Sequence, residues 1–194
     1  MATSTETHAH HHAGHDHHAS PSGWGVAISA TLHCLTGCAI GEILGMALGT
    51  ALGFSQWGTV ALAVGLAFLF GYGLTSLPLL RAGLALGAVV PIALAADTLS
   101  IAVMEIVDNA VILAVPGAME AGLGSVLFWG SLSFALAVAF VVALPVNRWL
   151  IARGRGHAVV HSTGVHGGPP AHLVGALVAA AFAFGAVVLL AEAL

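Results

Sequence analysis

Eight side chains able to ligate a metal or carry a proton lie inside otherwise apolar sequence. His33, Cys34, Cys38, Glu42 and Met46 fall in one run, and Asp97, Glu105 and Asp108 in another. In the first run Cys34, Cys38, Glu42 and Met46 are spaced four apart. On a helix of 3.6 residues per turn they form a ridge that drifts by about 40° per step. Neighbours on such a ridge have Cβ atoms about 5–6 Å apart, so two thiolates there can share one ion. Thiolate and thioether are soft ligands, which suit Cu(I) or Zn rather than Mg or Ca. The same spacing disfavours a redox pair, because a disulfide needs Cβ atoms about 3.8 Å apart. The plainer reading is packing: cysteine is small and methionine fills irregular space. His33 stands about 100° from Cys34 around the helix. It reads first as a core imidazole bonded to a carbonyl, and second as a ligand or proton carrier.

In the second run Asp97, Met104 and Asp108 share one face within about 40°, with Glu105 near its edge. An ionised side chain at a helix centre costs about 2.5–3.5 kcal/mol in a bilayer. Four such acids, Glu42 included, would cost on the order of 10 kcal/mol if charged and bare. The chain has four Arg, all expected in loops, and no Lys. These carboxyls are therefore protonated, hydrated in a cavity, or balanced by a bound cation. The structural alternative is that neutral acids hydrogen-bond helices together.

The elements that must hold these residues follow from composition. Of 194 residues 59% are hydrophobic and only 6% charged, against about 25% charged in an average soluble domain. A soluble globular enzyme is excluded, and so is general disorder. With a net charge of -4 and no basic stripe, nucleic acid is not an expected partner. The sequence predicts an all-α, polytopic transmembrane bundle in a lipid bilayer, with about five spans. They run from Trp24 to Phe54, Trp57 to Leu80, about Val90 to Val115 with Pro91 in the first turn, Ser125 to Leu144, and His172 to Leu194. Residues 1–22 read as a disordered His-rich tail. Residues 23–161 read as a four-helix core, and residues 162–194 as a loop and an additional helix. Arg81, Arg148, Arg153 and Arg155 follow the second and fourth spans, which puts the N-terminus in the cytoplasm. His157, His161, His166 and His172 then share the tail's side. Gly37, Gly41, Gly45, Gly49 and Gly53 form a bare ridge suited to another helix, in this chain or in a second copy. If spans one and three pack side by side, Asp97 comes level with Cys34 and Glu105 with Glu42.

Three segments, HCLTGCAIGE, LAADTLSIAVMEIVDNAVILAVPGAMEAG and LPVNRWLIARGRGHAVVH, resemble the bacterial membrane family catalogued as domain of unknown function 4396. The resemblance covers about His33 to His161 and includes the pattern H-C-x-x-G-C-x-x-G-E. It implies a compact helical membrane domain with the fifth span outside it. It implies no activity and no catalytic residue.

The favoured functional expectation is binding or transport of a cation, most often a transition metal of the Cu, Zn or Ni type. His tracts at one face would collect it, and intramembrane Cys, Met and carboxylate groups would hold it. The alternatives are a membrane thiol oxidoreductase using Cys34 and Cys38, a non-catalytic scaffold subunit, and a cation channel without metal selectivity. No Ser-His-acid set, P-loop or nucleotide fingerprint supports catalysis of the soluble type.

Overall fold

The computed structural model describes residues 23–165. The His-rich tail, His166, His172 and the expected fifth span lie outside the described residues. Four long helices are α1 (Gly23–Ala51), α2 (Gln56–Arg81), α3 (Leu86–Ala114) and α4 (Val126–Ala152), followed by one short turn of helix, α5 (His157–His161). Each of the four is long and apolar enough to cross a membrane. Large apolar side chains point outward, among them Leu69, Ile106, Val126 and Val141. The interior carries Thr31, Asp97, Ser100, Ser131 and Asn147. Such a distribution suits lipid, where the outside is the apolar phase.

Small residues let the backbones approach. The ridge Gly37, Gly41, Gly45, Gly49 meets Gly71, Ala67, Ala63 and Thr59 of α2 in turn. These four α2 positions are themselves spaced four apart, so two stripes of small residues lie face to face. The helix that receives the ridge is thus α2 of the same chain. Gly53 is not part of it. It takes φ +68°, and Gly53 N–H donates to Thr50 O while Phe54 N–H donates to Gly49 O. That is a Schellman cap, which needs a residue free of Cβ strain. On α4, Ser131, Ala135, Ala139, Ala143 and Asn147 form a third buried stripe.

Two spans differ from the expected bounds. Pro91 lies within α3 rather than in its first turn, and α4 continues past Pro145 to Ala152. Proline removes one backbone hydrogen bond, a loss that packed neighbours offset in membrane helices. Arg148 accordingly belongs to α4 rather than to a loop, and its guanidinium lies 3.9 Å from the Trp24 ring centroid. Arg153 lies 4.0 Å from that of Trp149. Alternating helix direction gathers Arg81, Arg148, Arg153 and Arg155 at the end where α1 begins. Trp57 and Trp129, near the starts of α2 and α4, mark the opposite end.

Candidate metal centre

The buried stripe of α3 includes Ala93, Ala96, Asp97, Ser100, Ile101, Met104, Glu105 and Asp108. Its 3–4 residue spacing gives one helical face, and that face looks at α1. Asp97 lies level with Cys34, whose thiol donates to Asp97 Oδ1 at 3.8 Å. Asp97 is 0% exposed, Glu42 6%, Glu105 5% and Asp108 3%. The four acids are therefore inside the bundle, not in solvent.

The loop after α4 supplies a group to this seam. Gly154 and Gly156, at φ +66° and +60°, turn the chain back. A Cβ at Gly156 would meet Leu150 Cβ at 3.1 Å and Ala96 O at 3.6 Å, so the backbone passes close to α3 just before Asp97. Val160 of α5 then buries itself against Leu79, Val89 and Ala96. This anchor fixes His157 one turn earlier on the same short helix. His157 Nε2 comes 3.2 Å from Asp97 Oδ1 and 3.8 Å from Cys34 Sγ. The expectation that no resident basic group reaches these acids is corrected here: His157, expected in a loop, meets Asp97.

His33 completes the cluster. One ligand atom each from His33, Asp97 and His157 lies within 4.8 Å of the others. The His33 and His157 rings stand edge to face at 5.1 Å. His33 Nε2 is 2.8 Å from Thr75 Oγ1 of α2, a side-chain partner rather than a carbonyl. With the proton on Nε2 it donates to Thr75 and leaves Nδ1, which is buried and unpartnered, as a free lone pair. Metal-ligating imidazoles are held in just this way through their second nitrogen.

Electrostatics favour a neutral imidazole at His157. Asp97 nearby would favour the charged form. Burial, together with His33 and His161, outweighs it and pushes the pKa of His157 down to about 3. A neutral imidazole is the ligating form.

The geometry separates metal binding from nucleophilic catalysis. In a Cys-His-Asp triad the thiol and the acid engage opposite ring nitrogens. Here both face Nε2 of His157. The three atoms instead form a triangle with sides 3.2, 3.8 and 3.8 Å. Zn bond lengths of about 2.0–2.1 Å to N or O and 2.3 Å to S give tetrahedral edges of about 3.4–3.6 Å. Shifts of a few tenths of an ångström would close the triangle on one ion.

The remaining expected residues do not join this centre. Cys38 packs in the core among Cys34, Ala67, Ile101 and Met104, with Glu105 and Glu42 as its acidic neighbours. Both cysteines are free. Glu42, Met46, Glu105 and Asp108 line a separate cavity toward the other end of the bundle. Asp108 is eleven residues beyond Asp97 on α3, about 16 Å along the axis at 1.5 Å per residue. The single set of eight ligands expected from the sequence is thus two sets. The cause is the length of α3, which spreads its acids over three turns. Thr75 and Ser100 were not singled out by sequence. Their signal is a polar residue on a buried small-residue stripe.

Fold and site together define a polytopic helical membrane protein whose four spans enclose a polar seam, closed at one end by a returning loop. The chain belongs to the family described as domain of unknown function DUF4396, which it matches over residues 23–156. Neither the comparison with curated proteins nor that with solved structures gave a match.

Proposed function

We propose that the protein binds a transition-metal cation through His33, Cys34, Asp97 and His157, as part of its transport or storage in the membrane. The single observation that carries this reading is the convergence of Cys34 Sγ, Asp97 Oδ1 and His157 Nε2 at tetrahedral-edge distances. Two imidazoles, a thiolate and a carboxylate form an N₂SO set, which suits Zn, Cu or Ni and is too soft for Mg or Ca. Beside it lies a cavity of about 40 Å³ lined by Ser29, His33, Thr75, His157 and His161. That volume has room for at least one water molecule, and it gives a bare ion a place to reach His33. Four Arg gather at this end, which supports a cytoplasmic face for it and a bacterial inner membrane as the location. The His-rich tail then shares that face and feeds the site.

Cobalt loading of the full chain in detergent tests the reading. Tail imidazoles bind Co(II) but give no thiolate-to-cobalt charge-transfer absorption. Wild type and Cys38→Ser should show that absorption, and Cys34→Ser should lose it. An absorption absent from wild type, or unchanged in Cys34→Ser, overturns the assignment.

A further inference from the structure

The second set of acids sits in a space of different character. A cavity of about 530 Å³ opens between α1, α2, α3, α4 and residues 118–122. Glu42 and Glu105 line it with both carboxyl oxygens buried and without a hydrogen-bond partner, and Asp108 lines it with Oδ1 in the same condition. Glu42 faces Asp108 and Glu105 across the α1–α3 seam. The wall combines apolar Phe54, Val60, Ile112, Phe128 and Leu132 with polar Thr50, Gln56, Thr59, Asn109 and Glu120. The loop that closes the far side is held in place, since Trp129 Nε1–H donates to Leu123 O at 2.7 Å.

Three observations select the ligand class. Buried carboxyls without partners are stabilised by a positive group, the alternative to protonation or hydration. They are not a group that brings three ligand atoms within 4.8 Å of one another. A bare Ca²⁺ or Mg²⁺, which takes at least six oxygens at 2.0–2.6 Å, is therefore not what the acids surround. The volume falls in the range of small-molecule sites, about 300–1,000 Å³, and Phe54, Val60, Ile112, Phe128 and Leu132 offer a carbon frame apolar contact. An aromatic wall beside the acids adds cation–π attraction.

We infer that this cavity is a binding site for an organic ammonium ion with an apolar carbon frame, distinct from the metal centre. The charged nitrogen sits among Glu42, Glu105 and Asp108, and the frame lies against Phe54, Phe128 and Leu132. A zwitterionic aminolipid headgroup fits less well, because its phosphate would enter beside three carboxylates.

Calorimetric binding to the full chain in dodecyl maltoside, with benzyltrimethylammonium and its neutral counterpart benzyl alcohol, tests this. The cation should bind one per chain and far more tightly than the alcohol. Glu42→Gln/Glu105→Gln, which keeps shape and removes charge, should weaken the cation by about 30-fold or more and leave the alcohol unchanged. His157→Ala, in the other site, should leave both unchanged. Equal binding of cation and alcohol to wild type overturns the inference even if the double variant fails to fold. Displacement of the cation by CaCl₂ at equivalent concentration, beyond its effect in matched NaCl, overturns it in favour of a hard-cation site. Loss of cobalt absorption in the metal-site variants bears on neither outcome.

Discussion

Adding one methyl group at Gly41 should separate α1 from α2. A Cβ built there falls against the backbone N and Cα of Ala67, and 2.7 Å from the carbonyl carbon of Leu66. Carbon atoms rest at about 3.5–4.0 Å, so the helices must part by roughly an ångström. No rotamer change relieves the clash, because the atoms met are backbone. Overpacking costs about 1–3 kcal/mol, and alanine recovers about 0.8–1.0 kcal/mol through its better helix propensity. The net expectation for Gly41→Ala is a loss of up to about 2 kcal/mol. Gly65, on the exposed side of α2, has nothing within 4 Å of its Cβ position. Gly65→Ala therefore gains the propensity term alone, about 0.5–1 kcal/mol. The assay is unfolding of the detergent-solubilised chain by SDS titration, followed by far-UV circular dichroism. The two variants should move the midpoint in opposite directions. Equal midpoints, or a stabilised Gly41→Ala, would refute the assigned α1–α2 interface.

Four further outcomes follow from the same geometry. His157→Ala removes a ligand, so zinc affinity in a competitive chelator titration should fall by more than the 10–100-fold typical of outer-shell losses; wild-type affinity would contradict the site. Cys34 and Cys38 are 0% and 1% exposed, so a membrane-permeant maleimide should label neither until SDS is added, and rapid native labelling would show the helix register to be wrong. Asn147 Nδ2–H donates to Thr31 Oγ1 at 2.9 Å, and Asn147→Ala should cost about 0.6 kcal/mol, the usual size of such a bond between membrane helices; an unchanged SDS midpoint would argue against the contact. His157 is neutral when folded, with its pKa pushed from 6.5 down to about 3. The unfolded chain takes up its proton first, so this residue's stabilising share is intact above pH 6.5 and is lost as pH falls toward 3. Metal-free His157→Gln should show a shallower stability loss than wild type between pH 6.5 and 4, and parallel curves would count against the burial.

The sequence made the spans legible because hydropathy sets them directly, and the α3 stripe because its acids sit at helical spacing. The level match of Asp97 with Cys34 followed from rise per residue alone. The glycine ridge was readable on α1, yet its receiver was not identified, although Thr59, Ala63, Ala67 and Gly71 repeat at the same interval. Pro91 and Pro145 misled because their effect in water is to end helices, and buried membrane helices absorb the lost bond. The role of His157 was hidden for a different reason. Its segment, GRGHAVVH, reads as a charged connector, and only the two positive-φ glycines and the burial of Val160 turn it inward. The separation into two sites was hidden as well, since residue type alone groups every polar side chain in one imagined interior.

The arm carrying His157 turns on two glycines and is anchored by Val160 and Val165, whereas His33, Cys34 and Asp97 are built into long helices. Whatever binds to all four residues therefore binds a receptor that is complete only while that arm is docked. Its apparent dissociation constant is the intrinsic one divided by the docked fraction. A smaller or larger residue at Val160 would thus retune affinity from a position that never touches the ion.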